Sequence, residues 1–261
     1  MKPDRVHDVG LVLSGGGTRG IAHVGVLRAL VERGIRPGCI AGASAGAIVG
    51  ALHGAGYDPA AILDFFVRKN PFRLAKISLA KPGIIDTEKV VADFAEYFPD
   101  DSFAALDVEL HVVATDLTRG EAVHFESGPL IRTVVASSSV PVMFTPMKVE
   151  GRILADGGIV SNFPAELIRG RCRVLLGSHV SPLREVDSTE LGSSVSVLKR
   201  ALEVGMFRAS QTRFDLCDVL IHPQELSRFG LFDTRSFAAI EDLGYRAAVE
   251  RMPAIREATG G

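Results

Sequence analysis

Short apolar runs that end in small or turn-forming residues alternate along this chain with stretches whose apolar positions recur every three or four residues. Residues 9–13 run apolar into a glycine cluster and read as a buried strand entering a loop. Ile21, Val24, Leu27 and Val31 then fall at helical spacing, and Gly34 closes that segment. Cys39–Ala43 is the next strand, followed by a small-residue helix over 45–52. Asp58 and Pro59 form a cap and a first helical position for a helix over 60–68. Thr87 is expected to cap a helix reaching residue 97. The middle of the chain is richer in strands, at 108–115 and 121–125, with a helix over 130–137 and a strand pair or hairpin over 149–155. Further strands are expected at 173–180 and 218–222, and long helices at 191–207 and 236–251. Strands alternating with helices imply an α/β fold, a three-layer α/β/α arrangement around a mostly parallel sheet, with a mixed section around 108–155.

Composition narrows this little. A chain of 261 residues can bury one substantial core, and no repeat or linker divides it, so residues 1–261 read as a single domain. Apolar residues at 47% against charged residues at 23% indicate a globular chain. A formal net charge of -2 gives no overall pull toward nucleic acid, which is not expected as a partner. Cys39, Cys172 and Cys217 sit in apolar contexts and match no metal spacing, which suggests reduced thiols and a cytoplasmic location. Neither a signal peptide nor an apolar run long enough to span a bilayer is expected.

Three small motifs carry the candidate chemistry. Gly42-Ala43-Ser44-Ala45-Gly46 is a G-x-S-x-G sequence that ends a strand and begins a helix. That context exposes a serine on a tight turn, with glycines admitting the neighbouring backbone and a helix N-terminus beside it. Gly15-Gly16-Gly17-Thr18-Arg19-Gly20 joins the first strand to the first helix. It satisfies G-x-G-x-x-G, yet the second strand ends in Gly42-Ala43-Ser44 without the carboxylate that a dinucleotide site places there. No Gly-Lys-Ser/Thr follows, so a Walker loop fails too. What remains is a loop that points backbone N–H groups at a transient negative charge, with Arg19 steadying it or adding charge. Asp156-Gly157-Gly158 follows an apolar run and supplies a carboxylate that could act as base for a serine.

Together these motifs resemble, in order, the three signatures of patatin-like phospholipases. The resemblance extends through Ala114-Thr115-Asp116-Leu117, Ala136-Ser137-Ser138-Ser139-Val140-Pro141 and Asn162-Phe163-Pro164 to residues 218–223 and the Gly244-Tyr245 helix, and so spans nearly the whole chain. It implies a lipid acyl hydrolase of the compact bacterial type, working through a Ser–Asp dyad without a catalytic histidine. Carried over position by position, Ser44 is the nucleophile and Asp156 its base. Gly42 and Gly46 form the nucleophile elbow, and Gly157 and Gly158 complete the Asp-Gly-Gly motif. The oxyanion hole falls to Gly15, Gly16 and Gly17, with Arg19. No metal or organic cofactor is implied, and the substrate is a phospholipid or lysophospholipid. A thioester, a neutral glyceride or a non-catalytic lipid-binding role are the alternatives. Acyl chain length, head group and oligomeric state are not readable from the residues.

Seven histidines compete with the dyad. His179 or His222, each ending an apolar run, could complete a Ser…Asp…His order, whereas His23, His53, His111 and His124 read as structural. Arg68, Lys69, Arg73, Lys76 and Lys81 interleave with Phe72, Leu74, Ile77 and Leu79. That mixture suits contact with a membrane surface or a solvated covering segment. Leu198, Leu202, Met206 and Ala209 are expected to pack into the core.

Overall fold

The computed structural model describes residues 6–69 and 83–260. Its strands are β1 (His7–Leu13), β2 (Cys39–Ala43), β3 (Glu109–Asp116), β4 (Glu121–Phe125), β5 (Met147–Val149), β6 (Arg152–Asp156), β7 (Cys172–Ser178) and β8 (Val219–Ile221). The longer helices are α1 (Ala22–Val31), α2 (Ala45–Gly54), α3 (Pro59–Lys69), α4 (Thr87–Ala95), α5 (Leu130–Ser137), α7 (Ser194–Gln211) and α8 (Phe237–Thr259), with a short α6 (Gly158–Ser161). All eight strands join one sheet in the order β5-β6-β3-β2-β1-β7-β8, with β4 also paired to β3. From β3 to β8 the neighbours run parallel, whereas β4, β5 and β6 pair antiparallel. The mixed section expected around 108–155 is this antiparallel end.

The apolar runs are continuous because both sheet faces are covered. Leu11 and Leu13 of β1 join the larger core with α1, α2, α5 and α8, while the intervening Val12 joins a smaller core with Phe163, Ala165 and Ile168. The β5–β6 connection is a two-residue turn, Glu150 and Gly151, with φ of 50° and 78°. Two positive φ values in sequence mark the turn type whose twist matches a hairpin.

Several element ends differ from the expected ones for local reasons. Asp86, rather than Thr87, caps α4, since its side chain accepts the N–H of Glu88. Helix α7 starts at Ser194, because Ser193 and Ser196 form a capping box, and Leu191 belongs to a preceding 3-10 turn. Helix α8 runs past Pro253 to Thr259, where Met252 and Ile255 remain buried. One expectation is overturned. Leu198 and Leu202 are 54% and 45% exposed, and Val195 is 77% exposed, so the amino-terminal half of α7 shows an apolar stripe to solvent. Its carboxy-terminal end packs on the body, where Met206 lies against Gly158 and Ser210 is buried.

Among the described residues no helix is long and apolar enough to cross a membrane. Of the basic and apolar stretch expected at a lipid surface, Arg68 and Lys69 end α3 and pair with Asp64 and Glu96. The others, Phe72, Arg73, Leu74, Lys76, Ile77, Leu79 and Lys81, lie outside the described residues.

Candidate active site

Strand pairing brings the two candidate catalytic groups together from opposite directions. Strand β2 pairs parallel with β3 as far as Ala43 opposite Val113. Strand β6 pairs antiparallel with the continuation of β3, ending at Asp156 opposite Ala114. Because β4 occupies the other edge of β3 from Val112 to Asp116, β2 and β6 must share one edge and meet end to end. Ser44 and Asp156 stand at that junction.

Ser44 turns the chain from β2 into α2 with φ 52° and ψ −124°. A non-glycine residue in that region is strained by about 1–3 kcal/mol, a strain expected of a serine held out on an elbow. The turn is tight enough that a Cβ on Gly46 would lie 2.2 Å from the Leu13 carbonyl oxygen, and one on Gly42 would lie 2.7 Å from the Ala47 nitrogen. Ser44 Oγ donates to Asp156 Oδ2 at 2.6 Å, and Asp156 Oδ1 accepts the Gly158 N–H at 2.7 Å. Both side chains are buried. Burial raises the Asp156 carboxyl to about 6, opposed by the hydrogen bonds from Ser44 and Gly158. A base at that value is charged at neutral pH yet still holds a proton well enough to take one from an alcohol.

A set of small hydroxyls fixes this pair. Ser137 Oγ accepts the Ser44 N–H at 2.9 Å and donates to the Val113 carbonyl at 2.6 Å. Ser138 Oγ lies 3.2 Å from the Ser44 carbonyl. The N–H groups of Asp156 and Gly157 donate to the carbonyls of Ser139 and Ser137, both at 3.0 Å. Thr115 Oγ1 donates to the Asp156 carbonyl at 2.8 Å. These positioning residues had no assigned role in the sequence. The run Ser137-Ser138-Ser139 was the available signal.

The glycine-rich loop packs directly on the elbow. A Cβ on Gly15 would meet Asn162 Oδ1 at 2.5 Å and Ser44 Cβ at 3.2 Å, and one on Gly20 would meet Ala45 Cβ at 2.3 Å. The N–H of Gly15 donates to Asn162, that of Thr18 to Leu231 and that of Arg19 to Gly16. Those of Gly16 and Gly17 donate to no acceptor among the described residues. Gly17 has φ 55° and lines the same pocket as Ser44. Arg19 is placed differently. It is 7% exposed, its Nε donates to the Phe229 carbonyl at 2.7 Å, and its side chain lines a separate cavity. Burial lowers its pKa.

The pocket at Ser44 is lined mainly by Ile48, Phe66, Val90, Phe94, Val140 and Phe144. Its volume of about 20 Å³ is little more than one water requires. Among the described residues no charged side chain lines it.

The histidines lie elsewhere. The hydrogen bonds of His179 and His222 join them to each other, with Nδ1 atoms 3.0 Å apart, in an aromatic cluster with Phe163, Phe207 and Phe214. Burial holds both below the ordinary histidine value, so they are neutral at pH 7. His23 bridges the ends of β1 and β7 through the Ser14 carbonyl and Ser178 Oγ, each at 2.8 Å. His111 Nδ1 lies 2.8 Å from His124 Nε2, across β3 and β4. None of these bonds involves Ser44 or Asp156.

The fold and site define a class: an α/β protein that sets a serine against a carboxylate at the meeting ends of two strands, beside a glycine-rich loop. Residues 11–168 match the patatin-like phospholipase profile, and the chain belongs to that family. An uncharacterized NTE family protein of Mycobacterium tuberculosis is 34% identical over 187 residues, covering 69% of this chain and 52% of that protein. Lysophospholipase NTE1 of Saccharomyces cerevisiae is 29% identical over 199 residues, covering 72% of this chain and 12% of that protein. The crystal structure of VipD from Legionella pneumophila superposes with a TM-score of 0.55 at 16% identity, covering 95% of this chain and 67% of that one, a likeness of fold. The chain spans about half the length of the mycobacterial relative it matches.

Proposed function

We propose that this protein is a serine-dependent lipid acyl hydrolase that cleaves carboxylic esters of phospholipids or lysophospholipids. The observation that carries the reading is the 2.6 Å hydrogen bond from Ser44 Oγ to a buried Asp156, at the head of an apolar pocket. Asp156 takes the Ser44 proton as Oγ attacks the ester carbonyl. The oxyanion that develops is met by the N–H groups of Gly16 and Gly17 and by the N-terminus of α2. Asp156 then returns the proton to the leaving alcohol, and the acyl group rests on Ser44. A water deprotonated by Asp156 releases the fatty acid. An acyl chain in this pocket lies against Phe66, Phe94 and Phe144, which line it.

Among the described residues no charge lines the pocket at Ser44, so none of them selects a phospholipid over a thioester or a neutral glyceride. That keeps the second reading open, with the same dyad acting on either. Incubating the protein with a panel of phospholipids, lysophospholipids, glycerides and acyl thioesters, with products read by mass spectrometry, separates the two. Release of fatty acid from phospholipid or lysophospholipid at the highest rate is expected. Acid release only from thioester or glyceride favours the second reading, and no release at all points to a lipid-binding protein.

A cytoplasmic location belongs to the same proposal, supported by the free Cys39, Cys172 and Cys217. So does contact with a membrane surface. Val195, Leu198 and Leu202 form an exposed stripe beside the half-exposed Lys199, a combination suited to the lipid interface.

A further inference from the structure

A second cavity, of about 220 Å³, is walled by Arg19 of the glycine-rich loop together with Arg184, Lys199, Arg200, Arg228 and Glu203. Its charge is unbalanced. Glu190 closes on Arg184, and Glu203 lies 4.0 and 3.9 Å from Lys199 and Arg200, long contacts shared between two cations. Five cations against these two carboxylates leave three positive charges uncompensated among the described residues. Arg228 has no carboxylate partner among them, and its Nε donates only to the Glu225 carbonyl at 3.2 Å.

Arg19 is more than nine-tenths buried, yet among its nitrogens only Nε has a hydrogen-bond partner among the described residues. A largely buried arginine whose terminal N–H groups are unused among the described residues, at the wall of a roomy polar cavity, is placed to receive an anion with several acceptor oxygens. The cavity is also tied to the oxyanion loop. Phe229 and Gly230 line it, the Phe229 carbonyl holds Arg19, and the next residue, Leu231, accepts the Thr18 N–H at 2.9 Å. An occupant therefore touches both halves of the clasp that shapes Gly16 and Gly17.

We infer that this cavity binds a phosphate group, carried either by the head group of a lipid or by a small soluble phosphate. The head-group form rests on the lipid hydrolase reading, whereas phosphate binding itself does not. On this assignment the apolar pocket takes the chain and the basic cavity takes the charge.

The test uses Arg228→Gln and Arg200→Gln, which leave the loop and the dyad untouched, and Glu203→Gln, which removes the competing carboxylate. Inorganic phosphate should raise the melting temperature of the wild type. The two arginine variants should weaken that binding about tenfold each, as loss of one charged hydrogen bond does, and Glu203→Gln should strengthen it. A variant that merely folds poorly cannot produce that opposite sign. A head-group source is shown if the arginine variants raise KM for a lysophospholipid while leaving kcat and the turnover of a monoacylglycerol of the same chain unchanged. A soluble-phosphate source is shown if phosphate stabilises the protein but that substrate preference does not move. Absence of any phosphate-dependent stabilisation together with an unchanged preference overturns the inference. If the wild type hydrolyses no ester, the proposed function fails, and the thermal shift with its Glu203→Gln control still decides the cavity.

Discussion

The glycine-rich loop contributes to two cavities of opposite chemistry. The pocket with Gly17 and Ser44 is apolar and small, at about 20 Å³, and its reactive pair is held by short bonds from buried serines, a threonine and backbone. The cavity with Arg19 is about ten times larger, and its walls are long cationic side chains, several of them half-exposed. The difference divides the work. On the first side geometry is over-determined, so a lost group should harm every ester alike. On the second side the contacts are more exposed and screened, so losses should be graded and should depend on the charge of the substrate.

The largest effect expected on the first side is from Asp156→Asn, which should lower turnover of all esters by about 10²–10⁴, the worth of a general base. The acid limb tests the same group. Since burial raises the Asp156 carboxyl to about 6, kcat/KM should fall about tenfold per pH unit below that value, and a profile flat to pH 4.5 would remove Asp156 as the base. The linkage sign is also fixed. A carboxyl whose folded pKa lies above 3.8 binds its proton more tightly in the fold, so it lowers stability as pH rises from 3.8 to about 6. Asp156→Asn should therefore be more stable than wild type at pH 7, by about 3 kcal/mol at most, with the gain fading below pH 4. Thermal melts at both pH values check this.

Next in size is the loop itself. A Cβ on Gly16 would press on Val180 and Ser181, and disturbing the amides should lower kcat by about 10²–10³ with little change in KM. A change confined to KM would make the loop a binding element. Smaller again are His179→Ala and His222→Ala, which should each keep soluble-ester turnover within about tenfold, or 1.4 kcal/mol of barrier. A thousandfold loss in either, with normal circular dichroism, would restore a triad. The smallest change in chemistry is expected from serine at Val195, Leu198 and Leu202 together. Vesicle sedimentation should weaken while soluble p-nitrophenyl ester turnover stays constant, and unaltered sedimentation would leave that stripe without a lipid role.

Much of the fold was legible because the central parallel strands are buried on both faces and so read as continuous apolar runs between turn residues. What could not be read was pairing over distance. Nothing local to residues 152–156 says that β6 takes the edge of β3 where β2 stops, and that pairing is what places Asp156 on Ser44. The three motifs were visible because tight turns demand glycine, and the elbow at Gly42 and Gly46 leaves no room for a Cβ. The hydroxyls of Ser137, Ser138 and Thr115 had no such mark, since a serine side chain acquires its role from the neighbour it meets. Periodicity misled at α7 for a related reason. A repeat of Leu198, Leu202, Met206 and Ala209 defines an apolar face, but not whether anything covers it.

The account stands on Ser44 as the nucleophile. Treating the purified protein with a fluorophosphonate probe, then mapping the labelled peptide, tests this directly. The wild type should label on Ser44 alone, Asp156→Asn should label far more slowly, and Ser44→Ala should not label while keeping its fold. Labelling that persists in Ser44→Ala, or that maps to another serine, would contradict the central claim.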